Sequence, residues 1–334
     1  MLGSFLKSGL HFSGALKLLR ALARNPRALV LRYHSVAATE EQATLYLDHG
    51  LTITPEAFER QLQFLQSRYT IVPLQDLVQR LRQGLPPYNR AIAITFDDGF
   101  RDNYTYAFPL LRRYQIPATF YLTTGCIDNR QLFWVAHLRY LLTLTRVPAV
   151  QTTTEPFIFT LTDTAAREEA FRTLVVHMKN IPTAQRLALL AELAEKLAVD
   201  TTPLRQLMMT WSEVRDMHAQ GMSFGAHTVT HPNLPNTTAE EAEQEIRDSK
   251  EMTEAHLRTP VLDFSYPNGR GSRHITAQVK EIVRQTGFHS AVTSVAGGIE
   301  LGDDLLALRR VGVYKKHSSL PLLSWEIEMN RVQR

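Results

Sequence analysis

Two short stretches hold side chains whose types and spacing could do chemistry. Thr95-Phe96-Asp97-Asp98-Gly99 follows the apolar run 91–94, and His227-Thr228-Val229-Thr230-His231 follows the run 222–226. Each sets metal-competent groups where a short buried strand runs out, which is where α/β folds assemble active sites. Two adjacent carboxylates can divide the labour, one holding a cation and the other taking a proton. Histidines at i and i+4 share one side of a helical turn and can ligate one ion through imidazole nitrogen. Together they offer a facial His-His-Asp set that leaves coordination positions open for water, the layout of a hydrolytic site rather than a structural one.

Each piece alone has an ordinary explanation. Asp-Asp-Gly is also a common exit turn after a strand. His-x-x-x-His arises by chance in many proteins, and without Glu after the first His it is not a zincin helix. The weight lies in the conjunction and in the flanking sequence.

Thr95–Gly99 resembles the first motif of the polysaccharide deacetylases of the NodB-homology type, and His227–His231 resembles the second, His-[Ser/Thr]-x-x-His. Phe264-Ser265-Tyr266-Pro267-Asn268-Gly269 is similar to the variant third motif of a branch whose members begin with a Tyr-His strand, here Leu31-Arg32-Tyr33-His34-Ser35. The stretches Asp97–Asn103 and Ile116–Leu122 also resemble that branch, and the likeness runs from about Val30 to Val313 around an unmatched insertion.

The resemblance implies a metal-dependent hydrolase that removes N-acetyl groups from the amino sugars of a polysaccharide or glycan precursor. Asp98, His227 and His231 would hold a divalent ion, most simply Zn²⁺, although such a site also suits Co²⁺, Ni²⁺ or Fe²⁺. Asp97 would take the proton of the attacking water. A backbone N–H near Tyr266 would help hold the oxyanion, which sets Tyr266, Pro267 and Asn268 against the substrate. Ser265 and Tyr266 stand where most relatives carry a base-orienting Arg, and the usual Asp-Trp and Leu-His motifs near the C-terminus are not recognisable. Arg310, in the last strand run, could supply the missing guanidinium. The proton donor to the leaving amine is then sought among other histidines: His34, which closes the first strand and could be held protonated by nearby carboxylates, or His317, just past the last strand.

Other functions stay open at this point. The site could remove another acyl group, such as formyl from a lipid-linked amino sugar, and the basic N-terminus is compatible with that. A non-catalytic glycan-binding barrel would account for the missing later motifs, but a binding protein needs no base such as Asp97. A cyclic-amide hydrolase would need a small closed pocket instead of a long cleft.

Seven β-rich runs must position these residues: Ala28–Tyr33, Ala91–Phe96, Ala118–Thr123, Met222–Ala226, Leu262–Tyr266, Ser290–Thr293 and Leu306–Val313. Helical patterns separate most of them. Pro55–Tyr69 sets Phe58, Leu62, Leu65 and Tyr69 on one face, and Leu74–Arg82 follows. Thr210 with Glu213, and Thr238 with Glu241, form capping boxes that open two later helices. This alternation predicts an α/β fold, a distorted (β/α)7 TIM-like barrel. The rhythm breaks at 128–207, where three helices (Phe133–Leu144, Thr164–Asn180, Thr183–Leu197) and a hairpin (Val150–Leu161) are expected as an insertion between the third and fourth strands. Its Phe133, Trp134 and Tyr140 either stack on sugar rings or simply pack the insertion.

The 334 residues, 44% hydrophobic and 9% aromatic, suffice for one large core, so residues 28–334 are read as a single barrel. The net charge of +4 comes with no long basic run, which argues against nucleic acid as a partner. Cys126 is the only cysteine, so no intrachain disulfide can form, which points toward a reducing, cytoplasmic setting. Residues 1–27 read as an amphipathic helix with Lys7, Lys17, Arg20, Arg24 and Arg27 among the leucines. It would either lie at the inner face of a membrane, giving peripheral contact, or pack under the barrel.

Overall fold

The computed structural model describes residues 27–39, 45–47 and 50–332. Twelve strands occur in this order: β1 (Leu29–Tyr33), β2 (Ser35–Val36), β3 (Thr52–Ile53), β4 (Thr70–Ile71), β5 (Ala91–Phe96), β6 (Thr119–Leu122), β7 (Ala149–Gln151), β8 (Ile158–Thr160), β9 (Ser223–Ala226), β10 (Asp263–Ser265), β11 (Ser290–Val292) and β12 (Val311–Gly312). Seven form one parallel sheet ordered β11-β10-β9-β6-β5-β1-β12, with β4 beside the start of β5. Register is long between β1 and β5, from Leu29 opposite Ile92 to Tyr33 opposite Phe96. The sheet's two ends meet where Val292 bridges Leu308, just before β12 pairs with β1. The curled sheet is a distorted (β/α)7 barrel, and all seven core strands fall in the runs expected from sequence.

The barrel follows from alternation along each strand. Leu29, Leu31, Tyr33, Ile92, Ile94 and Phe96 belong to an outer cluster, packed with Phe58, Leu62 and Leu65 of α1 (Pro55–Arg68). The alternate positions Ala28, Val30, Ala91 and Ala93 pack inward with Tyr121, Val292 and Leu308, joined by Leu77, Val78 and Leu81 of α2 (Leu74–Arg82). One more inward step along each strand brings the polar residues Arg32, Thr95, Ser265 and Arg310, all buried. Space inside is tight: a Cβ on Gly225 would sit 2.4 Å from the Tyr121 ring, so only glycine lets β9 pass that side chain.

Between β5 and β6 runs α3 (Phe108–Arg113), preceded by a π-helical turn over Asn103–Ala107. Between β6 and β9 come α4 (Trp134–Leu144), the antiparallel β7–β8 hairpin, α5 (Thr164–Lys179) and α6 (Thr183–Leu197). These elements share their own apolar cluster, which includes Leu138, Leu141, Phe171, Leu174, Leu189 and Leu193. Arg139 of α4 is buried against Glu168 at 2.6 Å, its guanidinium 3.9 Å from the Phe171 ring. The barrel resumes with α7 (Trp211–Ala219), α8 (Ala239–Leu257), α9 (Ala277–Gln285) and α10 (Leu320–Val332). Both expected capping boxes are present, at Thr210/Glu213 and Thr238/Glu241.

Sequence reading missed β2, β3 and β4. Two-residue strands carry no detectable period, and only long-range pairing defines them. The helix expected over residues 1–27 lies outside the described residues except for Arg27, which is paired with Glu300 at 2.5 Å.

Candidate active site

Asp97 and Asp98 both line one cavity at the end of β5, where the backbone turns sharply. Asp98 adopts φ 77° and Gly99 φ 90°, left-handed values that aspartate tolerates and glycine favours. Asp97 continues the inward face of the strand, and its N–H donates to the Tyr33 carbonyl at 3.1 Å.

Arg310 grips Asp97 with both arms. One terminal nitrogen donates to Oδ1 and the other to Oδ2, each at 2.7 Å. The guanidinium also donates to Thr95 Oγ1 at 3.2 Å, Ser265 Oγ at 3.0 Å and the Thr293 carbonyl at 2.8 Å, so all its nitrogens are satisfied although it is buried. Ser265 Oγ lies 3.3 Å from Asp97 Oδ1. Burial alone would raise the Asp97 carboxyl, but the charge and hydrogen bonds of Arg310 outweigh it, holding Asp97 well below the usual carboxylate range. Arg310, proposed from its place in the last strand run, stands where an orienting guanidinium is needed.

The second motif is not a helical turn. His227 and His231 converge because Thr228 and His231 take left-handed backbone angles, φ 67° and 56°. Thr228 Oγ1 accepts from the His231 N–H at 3.1 Å, and Glu245 of α8 accepts from the N–H groups of Val229 and Thr230 at 2.8 and 2.9 Å. The i, i+4 spacing therefore works through a side-chain-braced loop, with the backbone strain held by surrounding hydrogen bonds. From the segment between β6 and β9, Trp134 Nε1 donates to the His231 carbonyl at 3.1 Å, and Arg186 reaches Thr230 Oγ1 at 3.3 Å. Glu245, Trp134 and Arg186 carry no local sequence signal for this bracing, since each reads as part of an ordinary helix.

Ligand atoms of Asp98, His227 and His231 all lie within 4.8 Å of one another, and all three residues are buried. The donor chemistry fits a cation. His227 Nδ1 lies 2.7 Å from the Ser265 carbonyl, so Nδ1 carries the proton and the Nε2 lone pair faces Asp98 Oδ1 at 3.4 Å. His231 Nε2 faces the same oxygen at 3.6 Å. Lone pairs converging on a carboxylate repel unless a positive charge lies among them.

A cavity of about 390 Å³ opens on these residues. One wall is apolar: Leu47, Leu51, Phe133 and Val135, with Phe171 and Val175, which sit one turn apart on α5. Tyr266 and Asn268 line it, whereas Pro267 is buried behind the lining. The Tyr266 N–H donates to the Val292 carbonyl at 3.2 Å, so it is already engaged. Phe133, Trp134 and Tyr140 are buried and pack the fold; Phe133 meets the His231 ring edge-on with centroids 5.1 Å apart.

His34 lines the cavity as well, but its expected charge state is corrected. Burial, then the charge of Arg32, lower its pKa to about 4, overriding the attraction of Asp98 and Asp97. The ring is neutral at pH 7, so His34 holds no proton to give there. In the metal-free protein its ring resonances should titrate near pH 4, whereas an unfolded imidazole titrates near 6.5. Folding then binds fewer protons below pH 6.5, so this group's contribution to stability declines as pH falls through that window. A ring midpoint near 6.5 would contradict the burial argument. His317 is not brought to the site: it is buried outside the cavity lining, its Nδ1 accepting from the Tyr314 N–H at 2.9 Å and its Nε2 3.7 Å from Glu326.

Trp134→Phe provides a test of the bracing. It keeps an aromatic ring at this buried position, though a smaller one, and removes the bond to the His231 carbonyl; metal affinity should fall roughly 10-fold, as for other groups that orient a ligand, with the fold intact. Unchanged affinity in a metal titration would rule out that bracing role.

Fold and site together define a barrel hydrolase with a paired carboxylate and a cation-ready Asp-His-His set. The sequence profile of the polysaccharide deacetylase family matches residues 85–291. The chain belongs to that family of hydrolases. It is 20% identical over 285 residues to Bacillus subtilis YxkH, named for the same family, a match covering 85% of this chain and 70% of that one. Over 79 residues it is 34% identical to the poly-beta-1,6-N-acetyl-D-glucosamine N-deacetylase of Staphylococcus epidermidis, 23% of this chain and 27% of that one. Among solved structures, the Streptococcus pyogenes deacetylase PplD superposes with a TM-score of 0.59 at 19% identity, over 93% of this chain and 100% of the other. IcaB from Ammonifex degensii gives 0.58 at 19%, over 91% and 98%. At these identities the superpositions speak for the fold.

Proposed function

We propose that the protein is a metal-dependent N-deacetylase acting on N-acetylated amino sugars of a polysaccharide or glycan precursor. The observation that carries this reading is Asp97, clamped by Arg310 beside the converging Asp98, His227 and His231. When bound to those three residues, a divalent cation such as Zn²⁺ lowers the pKa of water towards ~7 and polarises an acetamide carbonyl. Asp97 accepts the proton as the water oxygen bonds to the carbonyl carbon, and Arg310 with Ser265 keeps the carboxylate in one orientation. Because Arg310 makes protonated Asp97 a strong acid, the same residue returns the proton to the amine nitrogen as the C–N bond breaks. Free amine and acetate leave. Tyr266 and Asn268 contribute to the cavity wall against which the sugar lies, with Pro267 fixing the turn behind them.

The test is mass spectrometry after incubating zinc-loaded enzyme with N-acetylated and N-formylated amino-sugar oligomers, free and lipid-linked. Loss of acetyl from the free oligomers is expected. Loss of formyl alone would move the function to a deformylase, and no mass change in any of them would favour a glycan-binding barrel.

Among the described residues, no helix is long and apolar enough to cross a membrane. The basic, leucine-rich stretch 1–27 supports a peripheral membrane contact. Deleting residues 1–24 should abolish co-sedimentation with anionic liposomes and leave hydrolysis of a soluble substrate intact. Loss of folding on deletion would show instead that this stretch packs against the barrel.

A further inference from the structure

The cavity holds a second buried guanidinium that the deacetylation chemistry does not use. Arg32 projects inward from β1, is only 7% exposed and lines the cavity two residues before His34. It donates to Tyr314 Oη at 2.9 Å and to Ser294 Oγ, and both partners line the same cavity. Its Nε has no hydrogen-bond partner. No carboxylate forms a salt bridge with it among the described residues, and the two carboxylates that line the cavity are engaged elsewhere, Asp97 by Arg310 and Asp98 by the histidines. Its direct hydrogen-bond partners are hydroxyls, and the repulsion of Arg310 offsets the attraction of Asp97, so the buried cation is costly unless an anion joins it.

We propose that Arg32, Ser294 and Tyr314 form a subsite for an anionic oxygen group, a carboxylate or a phosphate, carried by the amino sugar that enters this cavity. The inference rests on the amino-sugar reading above. The terminal nitrogens of Arg32 hold Ser294 and Tyr314 as acceptors, so each hydroxyl keeps its own proton free to turn toward a bound oxygen while the guanidinium supplies the opposite charge. The rest of the rim agrees in sign: Lys179 and Arg270 line the same opening. The subsite is also sterically arranged. A Cβ on Gly312 would fall 2.6 Å from Tyr314 Oη, so glycine at that position is what lets the phenol fold back onto Arg32. The subsite confers specificity: it selects anionic over neutral sugars at the same reaction centre.

The experiment measures binding apart from turnover. Zinc-loaded Asp97→Asn protein is titrated, by ligand-observed NMR, with N-acetylglucosamine, N-acetylmuramic acid and N-acetylglucosamine 1-phosphate. At least one anionic sugar should bind 10-fold or more tighter than the neutral one, and which of them does identifies carboxylate or phosphate. Adding Arg32→Met should abolish that preference without weakening the neutral sugar, and adding Tyr314→Phe should reduce it several-fold while leaving Arg32 in place. Equal binding of all three sugars overturns the proposal, as does an equal loss for neutral and anionic sugars in both variants. If wild-type enzyme hydrolyses none of the sugars yet the anion preference stands and depends on Arg32, the deacetylase reading fails and the subsite survives. Hydrolysis without any anion preference is the converse.

Discussion

Asp97→Asn is expected to keep the metal and lose on the order of 10²–10⁴-fold in kcat, the range for removing a positioned general base. Asparagine matches the shape of aspartate but cannot accept the proton. Asp97 is oriented by Arg310 and is not one of the three converging groups Asp98, His227 and His231. Asp98→Ala and His227→Ala should therefore lose metal and turnover together. Metal content by atomic emission, alongside kcat, separates the two roles. Equal metal loss in Asp97→Asn would sink the division of labour, because a pure base contributes little to ligation.

The second large effect falls on Arg310. Arg310→Met leaves Asp97 buried with Ser265 Oγ as its remaining side-chain hydrogen-bond partner, and breaking a buried pair on one side costs about 3–5 kcal/mol. Urea denaturation should register a loss of that size, with a fall in kcat because the carboxylate is no longer held in one orientation. Arg310→Lys should recover part of the stability and little of the rate, since an ammonium cannot span both carboxylate oxygens. The double variant Asp97→Asn/Arg310→Met should be much less unstable than the two single losses added together, because it removes both buried charges at once. Additive losses would show that the pair does not act as a unit.

Sequence by itself determined the seven core strands, most of the helices between them and the residues of the two metal-competent motifs. These are local properties: short apolar, β-rich runs at 29–33 and 91–96, helical period in 55–68, capping boxes at Thr210 and Thr238, and side-chain type at 97–98 and 227–231. The likeness of those motifs to the polysaccharide deacetylases was also legible, and the family match agrees with it. Arg310 was legible only in part: its strand could be read, but its grip on Asp97 spans 213 positions in the chain. The loop shape of 227–231 was misread, because left-handed angles at Thr228 and His231 are stabilised by Glu245 and Trp134, which lie far from it in sequence.

Charge states and company were decided by the tertiary structure alone. His34 looked like a proton donor because carboxylates were expected near it; burial and the adjacent Arg32 keep it neutral instead. His317 sits just past the last strand but is buried against Glu326, outside the cavity lining. Arg32 drew no notice in sequence, being one basic residue in a short strand. Only the closing of β12 against β1 brings Tyr314 to it, and only burial makes its unmatched charge significant. Residue type and spacing carry the chemistry a chain can do; desolvation and long-range contacts, which no local pattern encodes, fix which groups hold charge and what faces them.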